Sequence, residues 1–141
     1  MITGAHAIIY AQDAELARAF FRDTLEWPYV DNHGGWLIFQ LPPAELGIHP
    51  SGRSGQPATG APSGHHEVYL MCDDITATVS ALAARGVEFT GPVEDQGFGR
   101  LVNLRVPGAG EIGLYEPRHK TAYDMVRTSP SVQGDPERHG Q

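Results

Sequence analysis

Two stretches of this chain carry the same order of apolar and polar positions. Residues 6–13, HAIIYAQD, read as a strand that stops at an acid, and residues 67–74, EVYLMCDD, do the same. Short apolar runs bounded by polar residues are the pattern of half-buried or buried strands. Helical spacing follows each acid. Leu16, Phe20, Phe21 and Leu25 share one face of a helix over 14–25, and Ile75, Val79 and Leu82 share one face over 75–85. Asp13 and Asp74 stand where N-caps are wanted, because a carboxylate accepts the free N–H groups of a first helical turn. Pro28 ends the first helix, since proline disfavours helical geometry in the residue before it. Gly86 is placed to cap the second.

Three short strands follow each helix. In the first copy they fall at 29–30, 36–41 and 44–49, with a turn at Gly34-Gly35 and a stop at Pro42-Pro43. In the second they fall at 87–89, 101–106 and 111–115. The closing segments also match: ELGIHP at 45–50 and EIGLYEP at 111–117. The pattern predicts a single α+β domain over 1–141, built from two modules at about 2–50 and 66–117, each strand–helix–strand–strand–strand. Neither module is large enough to bury a core alone, so the two are expected to share one, with the helices outside. Residues 51–65, rich in Gly, Ser and Pro, read as the linker. The polar, aperiodic residues 125–141 read as a mobile tail.

Charge and composition narrow the partners. A net charge of -7, with 10 basic against 17 acidic residues, argues against nucleic acid or an anionic membrane surface. No apolar run approaches the ~20 residues of a membrane span, and the N-terminus lacks a basic-then-apolar leader, so a cytoplasmic location is expected. The lone cysteine, Cys72, lies in an apolar strand and reads as a core thiol; one cysteine excludes a disulfide framework. No phosphate-cradling glycine loop, nucleophile elbow or CxxC pair is present.

The strand from His6 to Asp13, LAARGV at 82–87, VPG at 106–108 and GLYEP at 113–117, in this order and in duplicate, resemble the vicinal oxygen chelate superfamily over residues 2–119. That group includes glyoxalase I, extradiol dioxygenases, fosfomycin-resistance enzymes and bleomycin-binding resistance proteins. The resemblance implies two βαβββ modules forming a cupped mixed β-sheet, a homodimer, and a small oxygenated substrate whose neighbouring oxygens chelate a divalent metal: iron, manganese, nickel or zinc. It places metal ligands on the first and last strands of each module. His6 matches the first such position. Glu67 stands where His is usual, and Gly113, with no ligating side chain, where Glu is usual. The remaining position falls on Gly47 by the internal repeat or on His49 by the usual spacing. His6, His49 and Glu67 then make a 2-His-1-carboxylate set with positions left open for substrate, and Glu67 is also a catalytic candidate. His65 and His66 rank behind Glu67; strand alternation turns His66 to the opposite face. The gap at Gly113 supports the alternative reading, a metal-free ligand-binding or antibiotic-resistance protein.

Several aromatic positions bear on a ligand slot. Tyr69 and Met71 continue the Glu67 face. Tyr115 is the repeat partner of His49, and its phenol is a candidate acid or base. Trp36 and Phe39 point to opposite faces of their strand. Phe98, in the QGFG segment at 96–99, belongs either to a cover over the cup or to a plain hairpin turn. Tyr69, Met71, Trp36 and Phe98 are thus the substrate-binding candidates, suited to a planar molecule, and each is equally suited to core packing. His33, His119 and His139 fall in turns or the tail and are expected to be solvated.

Overall fold

The computed structural model describes residues 4–49, 51 and 61–123. The first module opens with helix α1, Ala14–Ala19, capped as expected: the Asp13 carboxylate accepts the Leu16 N–H at 3.0 Å. The helix does not run as regular α-helix to Leu25. It widens into a π-helical turn, Phe20–Thr24, in which the Leu25 N–H reaches the Phe20 carbonyl. A wider turn brings successive side chains closer in direction, and here the consecutive rings of Phe20 and Phe21 are both buried, 5.4 Å apart and edge to face. Strands β1, Tyr29–Asp31, and β2, Leu37–Phe39, then pair as an antiparallel hairpin with Val30 opposite Ile38.

The second module is more complete. Strand β3, Tyr69–Met71, precedes helix α2, Ile75–Ala84, whose first turn is capped by Asp74 accepting from the Ala77 N–H at 3.0 Å. Gly86 takes the left-handed conformation that closes it, at φ 90°. Strands β4, Glu94–Asp95, β5, Gly99–Val106, and β6, Gly110–Pro117, join β3 in one sheet of order β3-β6-β5-β4. β3 and β6 run parallel, and the other pairs antiparallel. Residues 87–89 give only a bridge, Phe89 to Leu104.

Two expectations fail in the first module. Residues 4–11 and 44–49 form no strand. Their repeat counterparts, β3 and β6, exist because they hydrogen-bond to each other; without that pairing a backbone gains no ladder. Apart from Ala11, which packs against the core, their apolar side chains are left outside it, with Leu46 and Ile48 both 87 % exposed. The architecture is therefore α+β and mixed, as expected, but among the described residues its β structure is two open sheets, of two and four strands. Among the described residues no helix is long and apolar enough to cross a membrane. Most of the anticipated linker, residues 52–60, and the anticipated tail lie outside the described residues.

The core lies between the helices and one face of the larger sheet. Val102, Leu104 and Val106 of β5 and Ile112 and Leu114 of β6 meet Ala17, Phe20, Phe21, Ile75 and Val87. Alternation then turns Leu101, Asn103, Gly113 and Tyr115 to the other face. The halves also join through backbone: the Asp13 N–H donates to the Gly108 carbonyl at 3.0 Å. Gly108 sits at φ 81°, and a Cβ there would strike the Asp13 carbonyl, which accounts for the glycine of the VPG segment.

Candidate functional site

The face of β3, β5 and β6 turned away from the helices carries an aromatic platform resting on glycine. Tyr69 stands opposite Gly113 in the β3–β6 register, and its ring lies directly over that glycine: a Cβ at 113 would collide with the ring at Cδ1 and Cε1. Tyr115 repeats the device. A Cβ at Gly99 would collide with its Cε1 and would lie 2.7 Å from the Glu116 carbonyl oxygen. The two tyrosine rings meet edge to face with centroids 6.4 Å apart. Phe98, 55 % exposed, adds a third ring 6.0 Å from Tyr115. Phe98 is held out by a tight hairpin turn in which the Gln96 N–H donates to the Gly99 carbonyl and Gly97 adopts φ 82°. Arg118 clamps that turn, its Nη2 lying 2.6 Å from Asp95 Oδ2 while its Nη1 donates to the Gly97 carbonyl.

Beside the platform an open groove of about 420 Å³ runs between the two modules. Ile8 and Ile9 form one side, His65, His66, Glu67 and Tyr69 another, and Asn103 and Gly113 lie at its base. Among the groove's described lining residues there is no Lys or Arg, and they include the carboxylates Glu67 and Glu111. β3 begins only at Tyr69, so strand alternation does not govern residues 65–68, and His66 reaches the groove together with Glu67. Glu67 is held by two neighbours. The Tyr69 hydroxyl donates to its Oε2 at 2.9 Å, and His65 Nε2 lies 3.2 Å from its Oε1.

Both phenols are tuned toward their protonated form. Burial pushes the Tyr69 pKa up, and the hydrogen bond to Glu67 adds to it. Burial also raises Tyr115, with the nearby Glu45 carboxylate as a second cause. A phenol raised in this way acts at neutral pH as a hydrogen-bond donor rather than as a base.

The other anticipated residues are dispersed. His6 lies in the exposed stretch before α1 and His49 in the exposed stretch after β2. Among the described residues no three His, Cys, Asp or Glu side chains gather to hold a metal ion, so one chain does not bring His6, His49 and Glu67 together. Among the described residues of one chain, the donor set does not fit a divalent metal. Trp36 lies under the Arg18 guanidinium of α1, 4.7 Å from ring centroid to Cζ. Met71 is half-buried and opposite Tyr115 in the register. His33 is exposed, as anticipated, and His139 lies outside the described residues.

Two residues gain a role that their sequence surroundings did not announce. The Glu45 carboxylate accepts the Ala122 N–H at 2.8 Å and lies 3.4 Å from His119 Nε2, and the His119 ring packs 5.9 Å from Tyr115. His119 is exposed, as expected, yet its ring also packs against the platform. The only sequence signal was that Glu45 and Glu111 open matching closing segments.

The fold agrees with what known proteins show. The family model of the Glyoxalase/Bleomycin resistance protein/Dioxygenase superfamily matches residues 4–112, and the chain belongs to that superfamily. Among solved structures it resembles a superfamily member from Sphaerobacter thermophilus DSM 20745, with 27% identity, coverage of 82% of this chain and 98% of that one, and a TM-score of 0.55. It resembles a protein of unknown function from Agrobacterium tumefaciens str. C58, with 23% identity, coverage of 82% and 94%, and a TM-score of 0.51. TnmS3, an antibiotic binding protein from Streptomyces sp. CB03234, shares 25% identity over 80% of this chain and 99% of that one, with a TM-score of 0.47. No curated protein matches the chain.

Proposed function

We propose that this chain binds a planar aromatic small molecule, neutral or cationic, against the platform and in the groove beside it. The observation that supports this most is the pair of tyrosine rings, Tyr69 and Tyr115, seated on glycines and facing the same side of the sheet. Rings fixed in place lose little entropy when a flat ligand stacks on them, and each aromatic contact adds roughly 0.5–1.5 kcal/mol beyond area burial. The groove volume is within the range of small-molecule sites. The carboxylates Glu67 and Glu111 line the groove, and among its described lining residues there is no Lys or Arg, which disfavours an anion. The test is saturation-transfer NMR with a panel of neutral and cationic aromatic fragments. Saturable binding that weakens at least tenfold in Tyr69→Leu and in Tyr115→Leu supports the reading. Absence of saturable binding at millimolar fragment removes it.

A second copy of the chain is the proposed partner of the exposed segments 4–11 and 44–49, in keeping with a homodimer in the cytoplasm. That arrangement also carries the second reading, a metalloenzyme acting on a small oxygenated molecule. It is favoured by the two His–carboxylate pairs at the ends of the platform, His65 with Glu67 and His119 with Glu45. In that reading a second copy supplies what one chain lacks, so that His6 and His49 join Glu67, and Tyr115 donates a proton to the bound molecule. The metal, iron, manganese, nickel or zinc, would supply Lewis acidity toward vicinal oxygens. Near one divalent ion per chain in the reconstituted oligomer is the result that favours it.

A further inference from the structure

We propose that Tyr69 determines what the groove accepts: its ring closes the corner at position 113 and engages Glu67, so that the site selects flat organic ligands over divalent ions. This rests on the aromatic-ligand reading and names the residue that enforces it.

The argument begins with Gly113. It lies inside β6, paired with Tyr69 on one side and Asn103 on the other. A glycine within a strand forfeits side-chain packing and carries an entropic cost, so its presence calls for a reason. Backbone conformation is not the reason, since Gly113 is not among the positive-φ residues. What remains is space. The Tyr69 ring occupies the volume that any side chain at 113 would enter. The resemblance implies an acidic ligand at this position; here the place is filled by an aromatic wall.

The second observation concerns Glu67. Both of its carboxylate oxygens are engaged, Oε2 by the Tyr69 hydroxyl at 2.9 Å and Oε1 by His65 Nε2 at 3.2 Å. An incoming cation would have to compete with these neighbours for the carboxylate's lone pairs. A flat molecule stacked on the Tyr69 ring leaves them in place and can turn a donor toward Glu67. One residue therefore provides the wall, removes a ligand position and occupies a carboxylate.

The experiment measures two probes on the intact chain by calorimetry, 2-naphthol and zinc chloride, in wild type, Tyr69→Phe and Tyr69→Leu. Tyr69→Phe should hold 2-naphthol within about threefold of wild type, because it keeps the ring. Tyr69→Leu should lose at least tenfold in 2-naphthol affinity and gain at least tenfold for zinc, as Glu67 Oε2 is released and the corner at 113 opens. The zinc arm needs no aromatic ligand. If no variant binds 2-naphthol but Tyr69→Leu still gains zinc, the aromatic-ligand reading fails and the ion-excluding role of Tyr69 stands. Unchanged zinc affinity in Tyr69→Leu overturns the proposal. A second pair tests the seat itself: Gly113→Ala should shift the Tyr69 ring resonances and lower the melting temperature, and adding Tyr69→Leu should restore most of that loss. A Gly113→Ala chain with wild-type melting and ring shifts also overturns it.

Discussion

The ring of Tyr115 and the backbone of Gly99 approach so closely that no side chain fits between them. A Cβ at Gly99 would meet the ring and would also lie 2.7 Å from the Glu116 carbonyl oxygen, a backbone atom fixed by the β5–β6 ladder. The ring can turn away, but the carbonyl cannot. Gly99→Ala should therefore destabilise the fold by about 1–3 kcal/mol, as overpacking does, and move the Tyr115 ring resonances. Urea unfolding and aromatic NMR check both. A stable variant with unshifted resonances would show that the seat is dispensable.

The two helix caps give a matched pair of variants. Asp13 and Asp74 each accept one first-turn N–H at 3.0 Å. Asp13→Ala and Asp74→Ala should each cost about 1 kcal/mol. They share no partner, so the double variant should lie within about 0.5 kcal/mol of the sum. Denaturant midpoints decide. A cost near zero at either site would show that its cap is dispensable, since the backbone bond from Asp13 to the Gly108 carbonyl survives the substitution.

Those caps were legible in the sequence because capping is local: an acid, then a helical face. α2, the β1–β2 and β5–β6 hairpins and the Gly86 cap were legible for the same reason. Residues 4–11 and 44–49 were misread because a strand is not a local object. HAIIYAQD has strand composition, yet strand structure needs a neighbour to receive its hydrogen bonds, and neither the composition nor the repeat says whether that neighbour belongs to the same chain. The start of β3 came later than read, at Tyr69, and with it went the orientation assigned to His66. The aromatic face was half legible. Tyr69, Tyr115 and Phe98 were singled out, but Gly113 was read as a missing ligand when it is the floor under a ring. Trp36 met Arg18, and His119 met Glu45, across distances in sequence that no periodicity encodes.

The clamp on the Phe98 turn makes a pH prediction. The Arg118 guanidinium, and after it the Gly97 N–H, hold the Asp95 carboxyl well below the usual carboxylate range. For a depressed carboxyl the stabilising contribution is present above the unfolded value, about 3.9, and is lost as pH falls through the lower folded value. The turn should therefore stay clamped through neutral and mildly acidic pH. Arg118→Met should bring the Asp95 titration up toward the usual range and speed amide exchange at Gly97. Carboxyl-detected NMR titration checks the first, and hydrogen exchange the second.

The exposed apolar positions predict assembly. Leu46 and Ile48 stand 87 % exposed on a segment whose repeat counterpart is a paired strand. Apolar side chains this open, on a stretch with an unused backbone edge, favour association. Leu46→Lys with Ile48→Lys should convert a dimer to a monomer in sedimentation velocity, at little cost to the fold of each chain. A wild-type chain that sediments as a monomer at high micromolar concentration would remove the second copy as the partner.

Glu67→Gln separates the two functional readings. The Glu67 side chain is 52% exposed, and an exposed pair such as that with His65 contributes at most about 1 kcal/mol, so the fold should tolerate the change. The new amide oxygen still accepts from the Tyr69 hydroxyl. The Tyr69 phenol should then titrate lower than in wild type while remaining above the ordinary tyrosine value, because burial, the larger cause of its shift, is untouched. A raised phenol contributes stability that is present below its unfolded value and lost as pH rises through the folded one, so the smaller shift should leave a smaller alkaline loss of stability than in wild type. In the aromatic-ligand reading a neutral probe should bind within about threefold of wild type, a cationic one more weakly, and zinc affinity should not change. If Glu67 ligates a metal in the assembled dimer, zinc affinity should instead fall by at least ~10-fold, the scale on which even groups outside the coordination sphere act. Alkaline titration, probe binding and zinc calorimetry on this one variant give three independent readouts. A large zinc loss with unchanged cationic-probe binding would reject the aromatic-ligand reading in favour of the metalloenzyme.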